Sequence, residues 1–133
     1  MKPVFLDTGG LIAIWDKADQ WHALARPVFA ALLSARRRMV TTPQVLLECG
    51  NAAARRVYRP EVYNLRQILQ ANQALIEPTA AEIEQAWTGY LAGIAGNAGI
   101  VDQISFIAMR RLGITEAFTH NGHFNAAGFT TLF

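Results

Sequence analysis

A lone cysteine, Cys49, leaves no partner for an internal disulfide, which excludes the cross-linked secreted scaffolds and fits a reducing compartment. No apolar run approaches the length of a membrane span. Met1-Lys2-Pro3 leads into the first apolar stretch without the long apolar region of a signal peptide, so the chain is expected to be soluble and cytoplasmic, with no membrane partner. Strong net charge is missing too: 12 Lys and Arg face 10 Asp and Glu, a net charge of +2, and that surplus alone does not mark a nucleic-acid binder. No repeat, linker or low-complexity segment divides the 133 residues, so a single domain over residues 1–133 is expected. The glycines at 93, 96 and 99 have the wrong spacing for a dinucleotide fingerprint, and no strand immediately precedes them.

What is present is an apolar chain, 52% hydrophobic, in which short strands alternate with helices. Val4 to Leu6 reads as the first strand, Gly9 to Trp15 as a short helix and Trp21 to Ala35 as a longer one. Met39 to Thr41 reads as a second strand, after which Thr42 caps a helix with Pro43 at its first position, running to about Arg56. Glu61 to Gln73 is a further helix and Leu75-Ile76 a short strand before Pro78. Thr79 and Glu82 have capping-box spacing at the start of the helix that carries Trp87 and Tyr90. Ile100 to Leu112 is the last long helix, closed by Gly113. Glu116 to Thr119 and Thr130 to Leu132 read as strands, with a loop and short helical turn between Asn121 and Ala127. Strands separated by helices imply a parallel sheet covered on both faces.

Against this background four polar residues stand out, Asp7, Glu48, Asp102 and Asn121, each read as sitting where a strand ends or a helix begins. Asp7 directly follows an apolar strand, which places it at the carboxyl edge of a sheet, where open α/β folds collect ligands. Carboxylates at long spacing suit a hard cation such as Mg²⁺ or Mn²⁺. Glu48, Asn51 and Arg55 fall at i, i+3 and i+7, a spacing that lines one helix face; the alternative is an exposed polar stripe. Asp102 lies in a first helical turn, which stabilises a carboxylate and is by itself ordinary helix-start chemistry. Two arginine clusters, Arg36 to Arg38 and Arg55, Arg56 and Arg59, suit phosphate contacts or solvated helix ends.

Other features point less far. His120 and His123 flank Asn-Gly, a turn signal that disfavours a zinc pair, and His22 on a mostly apolar helix suits a local hydrogen bond. Trp15, Trp21 and Trp87 read as core or interface residues, and Cys49 lacks the surroundings of a catalytic thiol. An aspartyl-phosphate enzyme would want a second Asp two residues after Asp7, where Gly9 stands.

Taken in order, Leu6-Asp7-Thr8, Asp19 with His22, Glu48 with Asn51 and Arg55, Val101-Asp102 with Ser105-Phe106, and Thr119-His120-Asn121-Gly122-His123-Phe124 followed by Ala127-Gly128-Phe129 give the chain its likeness. It resembles the PIN-domain ribonucleases, and among them the VapC-like toxins of bacterial type II toxin–antitoxin systems, over nearly its whole length. The resemblance implies a three-layer α/β/α sandwich with a central parallel sheet. It also implies Asp7, Glu48 and Asp102 as metal-binding acids, Asn121 at the fourth catalytic position, and Thr8, Asn51, Arg55 and Thr119 as substrate contacts. Mg²⁺ or Mn²⁺, an RNA substrate, a small cognate antitoxin and a homodimer follow as expected cofactor and partners.

Two departures from the family pattern matter. Asn121 stands where relatives often carry Asp within Thr-x-Asp-x-x-Phe, which removes one negative charge from the site. Gly99 stands where a helix-capping Ser is common, at a cost of only a few tenths of a kcal/mol. A metal-dependent endoribonuclease is the leading expectation; an RNA-binding module that cuts weakly or not at all because of Asn121 is the alternative, and a silent interaction domain the third. The side-chain oxygens of Asp7, Glu48, Asp102 and Asn121 are expected to lie close enough to share a metal or its waters.

Overall fold

In the computed structural model, which describes residues 1–133, four parallel strands form one sheet: β1 (Val4–Leu6), β2 (Met39–Val40), β3 (Glu116–Phe118) and β4 (Thr130–Thr131), in the order β2-β1-β3-β4. Seven helices flank them: α1 (Thr8–Trp15), α2 (His22–Ser34), α3 (Pro43–Ala53), α4 (Arg59–Ala71), α5 (Ala80–Ala92), α6 (Ile100–Leu112) and α7 (Gly122–Ala126). The result is the α/β/α sandwich with a central parallel sheet. Residues of β1 are wholly buried, as a central parallel strand covered on both faces requires. Phe5 pairs in register with Val40 on one side and Ala117 on the other, while Phe5, Phe106, Phe118 and Phe124 are among the largest fully buried side chains. No helix is long and apolar enough to cross a membrane.

This topology fixes where a site can form. From β1 the chain moves to β2 on one side and returns to β3 on the other, so a crevice opens beyond the carboxyl ends of β1 and β3, the usual ligand position in such sheets. Asp7 follows β1 and Thr119 follows β3, both facing that crevice. Gly10 brings α1 against β3 there: a Cβ on it would lie 2.1 Å from the Phe118 carbonyl oxygen, so only glycine permits the approach.

Local capping sets several boundaries as the sequence suggests. Thr42 accepts the Val45 N–H, Thr79 and Glu82 form a complete capping box, and Gly93 and Gly113 close their helices in the left-handed conformation. Two expectations need correction. Leu75-Ile76 is not a strand but a single parallel bridge, Thr41 to Leu75, since the chain leaves the sheet edge before Pro78. The α3 helix ends at Ala53 rather than near Arg56, and beyond it the chain buries Tyr58, which stacks with Trp15 at 6.3 Å, before α4 starts at Arg59.

Candidate active site

Asp7, Glu48, Asp102 and Asn121 all line one polar hollow of about 530 Å³ with Thr8, Gly9, His120, Gly122 and His123. Three helix starts meet here. Asp7 is the N-cap of α1, Asp102 lies in the first turn of α6, and Asn121 caps α7 by accepting the His123 N–H on its Oδ1 at 2.9 Å. Helix N-termini favour negative charge, which is how a fold can hold several acids side by side.

Each carboxylate is held by neutral or titratable donors rather than by a permanent cation. The Thr119 hydroxyl donates to Asp7 Oδ2 at 2.8 Å and its oxygen accepts the Asn121 N–H at 3.1 Å, so one fully buried side chain ties the ends of β1 and β3. The Thr8 hydroxyl donates to Glu48 Oε1 at 2.5 Å. At Asp102, Oδ2 takes the Asn121 amide N–H at 3.4 Å and lies 3.4 Å from His123 Nδ1, while the other His123 nitrogen is 2.7 Å from Asn97 Oδ1. None of the lining residues is lysine or arginine.

Asp7 records the electrostatic consequence. It is only 3% exposed, and burial, with the charges of Asp102 and Glu48 adding to it, pushes its carboxyl up to about 7; the Thr119 hydrogen bond and a backbone contact at Thr8 pull the other way. Oxygen donors around a carboxylate that resists ionisation fit a hard divalent cation, which would supply the missing positive charge. The arrangement is not a finished cage, because no group of three acids, histidines or cysteines already stands ready to hold a metal ion. Glu48 is exposed, and the carboxylates remain engaged with their hydroxyl, amide and imidazole partners.

Among the sequence-derived substrate contacts, Thr8 lines the hollow and Thr119 is buried at its base. Asn51 and Arg55 do not reach it. Both are exposed, and Arg55 lies past the end of α3, so the supposed stripe of Glu48, Asn51 and Arg55 is cut short. The Arg36 to Arg38 cluster is at the opposite edge of the sheet, where Arg38 accepts the Val4 N–H on its carbonyl. Sequence reasoning missed His120 and His123 as lining residues. Their only signal was proximity to Asn121, and the Asn-Gly pair read as a turn is in fact the N-cap and first residue of α7, with His120 before it and His123 in its first turn. His22 bonds the Ala13 carbonyl at 2.7 Å as expected, and Cys49 is buried, with its thiol pushed up to about 12 by burial.

No protein-family model matches the sequence. Curated relatives do. The 23S rRNA-specific endonuclease VapC20 of Mycobacterium tuberculosis, from strains CDC 1551 / Oshkosh and ATCC 25618 / H37Rv, is 29% identical over 127 residues, covering 95% of both chains. The crystal structure of Mycobacterium tuberculosis VapC20, described as a sarcin–ricin-loop-cleaving toxin, superposes with a TM-score of 0.78 at 27% identity over 96% of each chain. With its acids gathered beyond the central parallel strands, the chain has the architecture of a PIN-like domain. In sequence and in fold alike it is similar to VapC20.

Proposed function

We propose that the chain is an endoribonuclease, the toxin of a toxin–antitoxin pair, which hydrolyses RNA phosphodiester bonds in the cytoplasm with Mg²⁺ or Mn²⁺. The observation that carries this reading is Asp7: a buried carboxyl held near 7 beside two further acids, at the sheet edge where an α/β fold takes its ligand. Relatives of the same length, named as a 23S rRNA-specific endonuclease, support the reaction class.

Asp7 would be the central ligand of the ion, with Glu48 and Asp102 completing its shell directly or through water. When bound, the ion would lower the pKa of an attacking water and offset charge on the leaving oxygen. The protein's own part is placement. Thr119 fixes Asp7 and Thr8 fixes Glu48, while Asn121 and His123 brace Asp102. The Asn121 amide is engaged with Asp102 and with the α7 start, so its role is to position rather than to supply charge. Backbone N–H groups at the starts of α1 and α6 favour a phosphate in the hollow. Asn51 and Arg55, exposed outside it, would meet RNA only away from the scissile bond.

An unpaired or looped RNA is the substrate class, since splayed nucleotides reach a recessed hollow that a duplex cannot. The relative described as cleaving the sarcin–ricin loop makes a ribosomal RNA loop the first substrate to try. A small antitoxin would restrain the enzyme. A homodimer fits the exposed apolar side chains Trp87, Tyr90 and Leu91 of α5 and Tyr63 and Ile68 of α4; light scattering should give twice the chain mass at tens of micromolar.

The test is incubation of purified chain with ribosomal RNA in Mn²⁺ and in EDTA. Discrete fragments with Mn²⁺, absent with EDTA and absent for Asp7→Ala, are expected. A second reading, RNA binding with little or no cleavage, is favoured by the neutral Asn121 and by the absence of a preformed cage. Saturable RNA binding without fragments at any Mn²⁺ concentration would select it.

A further inference from the structure

Every side-chain hydrogen-bond donor in the acidic hollow is committed, with one exception. The hydroxyls of Thr8 and Thr119 serve Glu48 and Asp7, the amide of Asn121 serves Asp102, and the ring of His123 lies between Asp102 and Asn97. The His120 ring lines the same hollow and makes no hydrogen bond to another residue, its own backbone being its one internal polar contact. Its polar edge is near the acids: a methyl placed on Gly9 would be 3.4 Å from His120 Nε2, 3.5 Å from Thr119 Oγ1 and 3.7 Å from Asp7 Oδ2. Gly9 thus leaves open a space that these three atoms border.

The ring is held by packing. Trp21 stacks on one face of it, with centroids 4.4 Å apart and planes 13° from parallel, and Phe133 lies at 5.8 Å with its plane tilted by 53°. The main chain under Trp21 is anchored in turn: its backbone N–H donates to Asp19 Oδ1 at 2.8 Å just before α2, one residue before His22 bonds the Ala13 carbonyl. Since Trp21 covers that face against base stacking, the ring's available chemistry is its edge, one N–H and one lone pair.

We infer that His120 is a substrate-binding residue of this site, offering Nε2, the ring nitrogen that borders the space at Gly9, as an N–H to the sugar-phosphate backbone of RNA beside Asp7, and that Trp21 is the positioning residue that aims it. This rests on the nuclease reading above. In a hollow of acids with no lysine or arginine, an uncommitted donor is what an anionic backbone requires.

The experiment measures binding and cleavage separately. A short single-stranded RNA is titrated into the protein in EDTA, with tryptophan emission as readout and Trp21→Phe as the reference for Trp15 and Trp87; cleavage of the same RNA follows in Mn²⁺. The wild type should show an RNA-dependent change in emission that Trp21→Phe lacks. His120→Ala should weaken binding about tenfold and raise KM more than it lowers kcat, as loss of a hydrogen bond to a charged group does. His120→Gln, which keeps an N–H, should recover part of the affinity. Trp21→Leu should resemble His120→Ala, with Trp21→Phe recovering most of the loss. Thermal melts keep the test sound: if His120→Ala does not fold, His120→Gln against His120→Leu carries the comparison. A wild type that binds and cuts, matched in affinity and KM by the His120 variants, overturns this inference alone. A wild type that neither binds nor cuts removes the nuclease reading and this inference with it.

Discussion

The two edges of the sheet treat charge in opposite ways. At the amino edge Arg37 pairs with Glu116 at 2.9 Å and donates to the Lys2 carbonyl, while Arg38 donates to the Gln73 carbonyl and Lys2 to that of Leu112. At the carboxyl edge Asp7, Glu48 and Asp102 share a hollow without lysine or arginine. One edge satisfies its ions within the fold, and the other leaves like charges facing one another. Such an arrangement lowers stability unless something outside the chain completes it, which is the usual trade between stability and activity. The amino edge is structural and the carboxyl edge is where chemistry belongs.

The largest expected effect breaks the carboxyl edge. Asp7→Asn should reduce RNA cleavage by about a thousandfold, since the central charge of the site is removed. It should also change stability in EDTA. A carboxyl raised from 3.8 to about 7 in the folded state favours folding through its proton, so this contribution is complete below pH ~3.8 and lost as pH rises through 7. Moving a carboxyl from 3.8 to about 7 sets the loss at about 4 kcal/mol at most. The pH dependence of melting between pH 4 and 7 should therefore be flatter in Asp7→Asn than in wild type. Mn²⁺ should raise the melting temperature of wild type and do so much less for the variant. Equal metal-induced rises would place the ion elsewhere.

Asn121→Asp sharpens the same edge at about tenfold in metal affinity, or about 1.4 kcal/mol. A fourth carboxylate strengthens attraction for a divalent ion, but it also deletes the amide donor to Asp102 and sets two like charges within hydrogen-bonding range. The two effects separate by condition. In EDTA the variant should melt below wild type; with saturating Mn²⁺ the difference should shrink or reverse. If calorimetry shows unchanged affinity and cleavage falls, the contribution of Asn121 is the brace it gives Asp102 and α7.

How much of this was legible in the chain depends on the range of the interaction. Strand β1, the Thr42 and Thr79 caps and the Gly113 stop are local, so residue type alone located them within a residue or two. That Asp7, Glu48, Asp102 and Asn121 belong together was suggested by their placement at strand and helix ends and by the resemblance, but not by contact, because residues 112 apart such as Asp7 and Thr119 meet through sheet order, which no local pattern encodes. Arg55 was misplaced for a related reason: helical spacing holds only as far as Ala53, and Arg55 lies beyond the end of α3. His120 was weighed only as half of a zinc pair, because its stacking partner, Trp21, lies far away in the chain and nothing in either neighbourhood announces the stack.

The smallest effect tests the other half of the comparison. Arg37→Ala removes the ion pair to Glu116, whose side chains are 12% and 34% exposed, so solvent screening limits the loss to about 1 kcal/mol. The substitution also removes a buried Arg37 Nε that has no partner, an offsetting gain that keeps the figure low. Melting should drop by about 3 °C to 5 °C for a chain of this size. Because Arg37 lies at the amino edge, RNA cleavage and the Mn²⁺-induced rise in melting should match wild type once both proteins are measured well below their melting temperatures. A drop in kcat or in metal response at that temperature would show that the two edges are coupled through β1 and β3, and the division between a structural edge and a chemical one would fail.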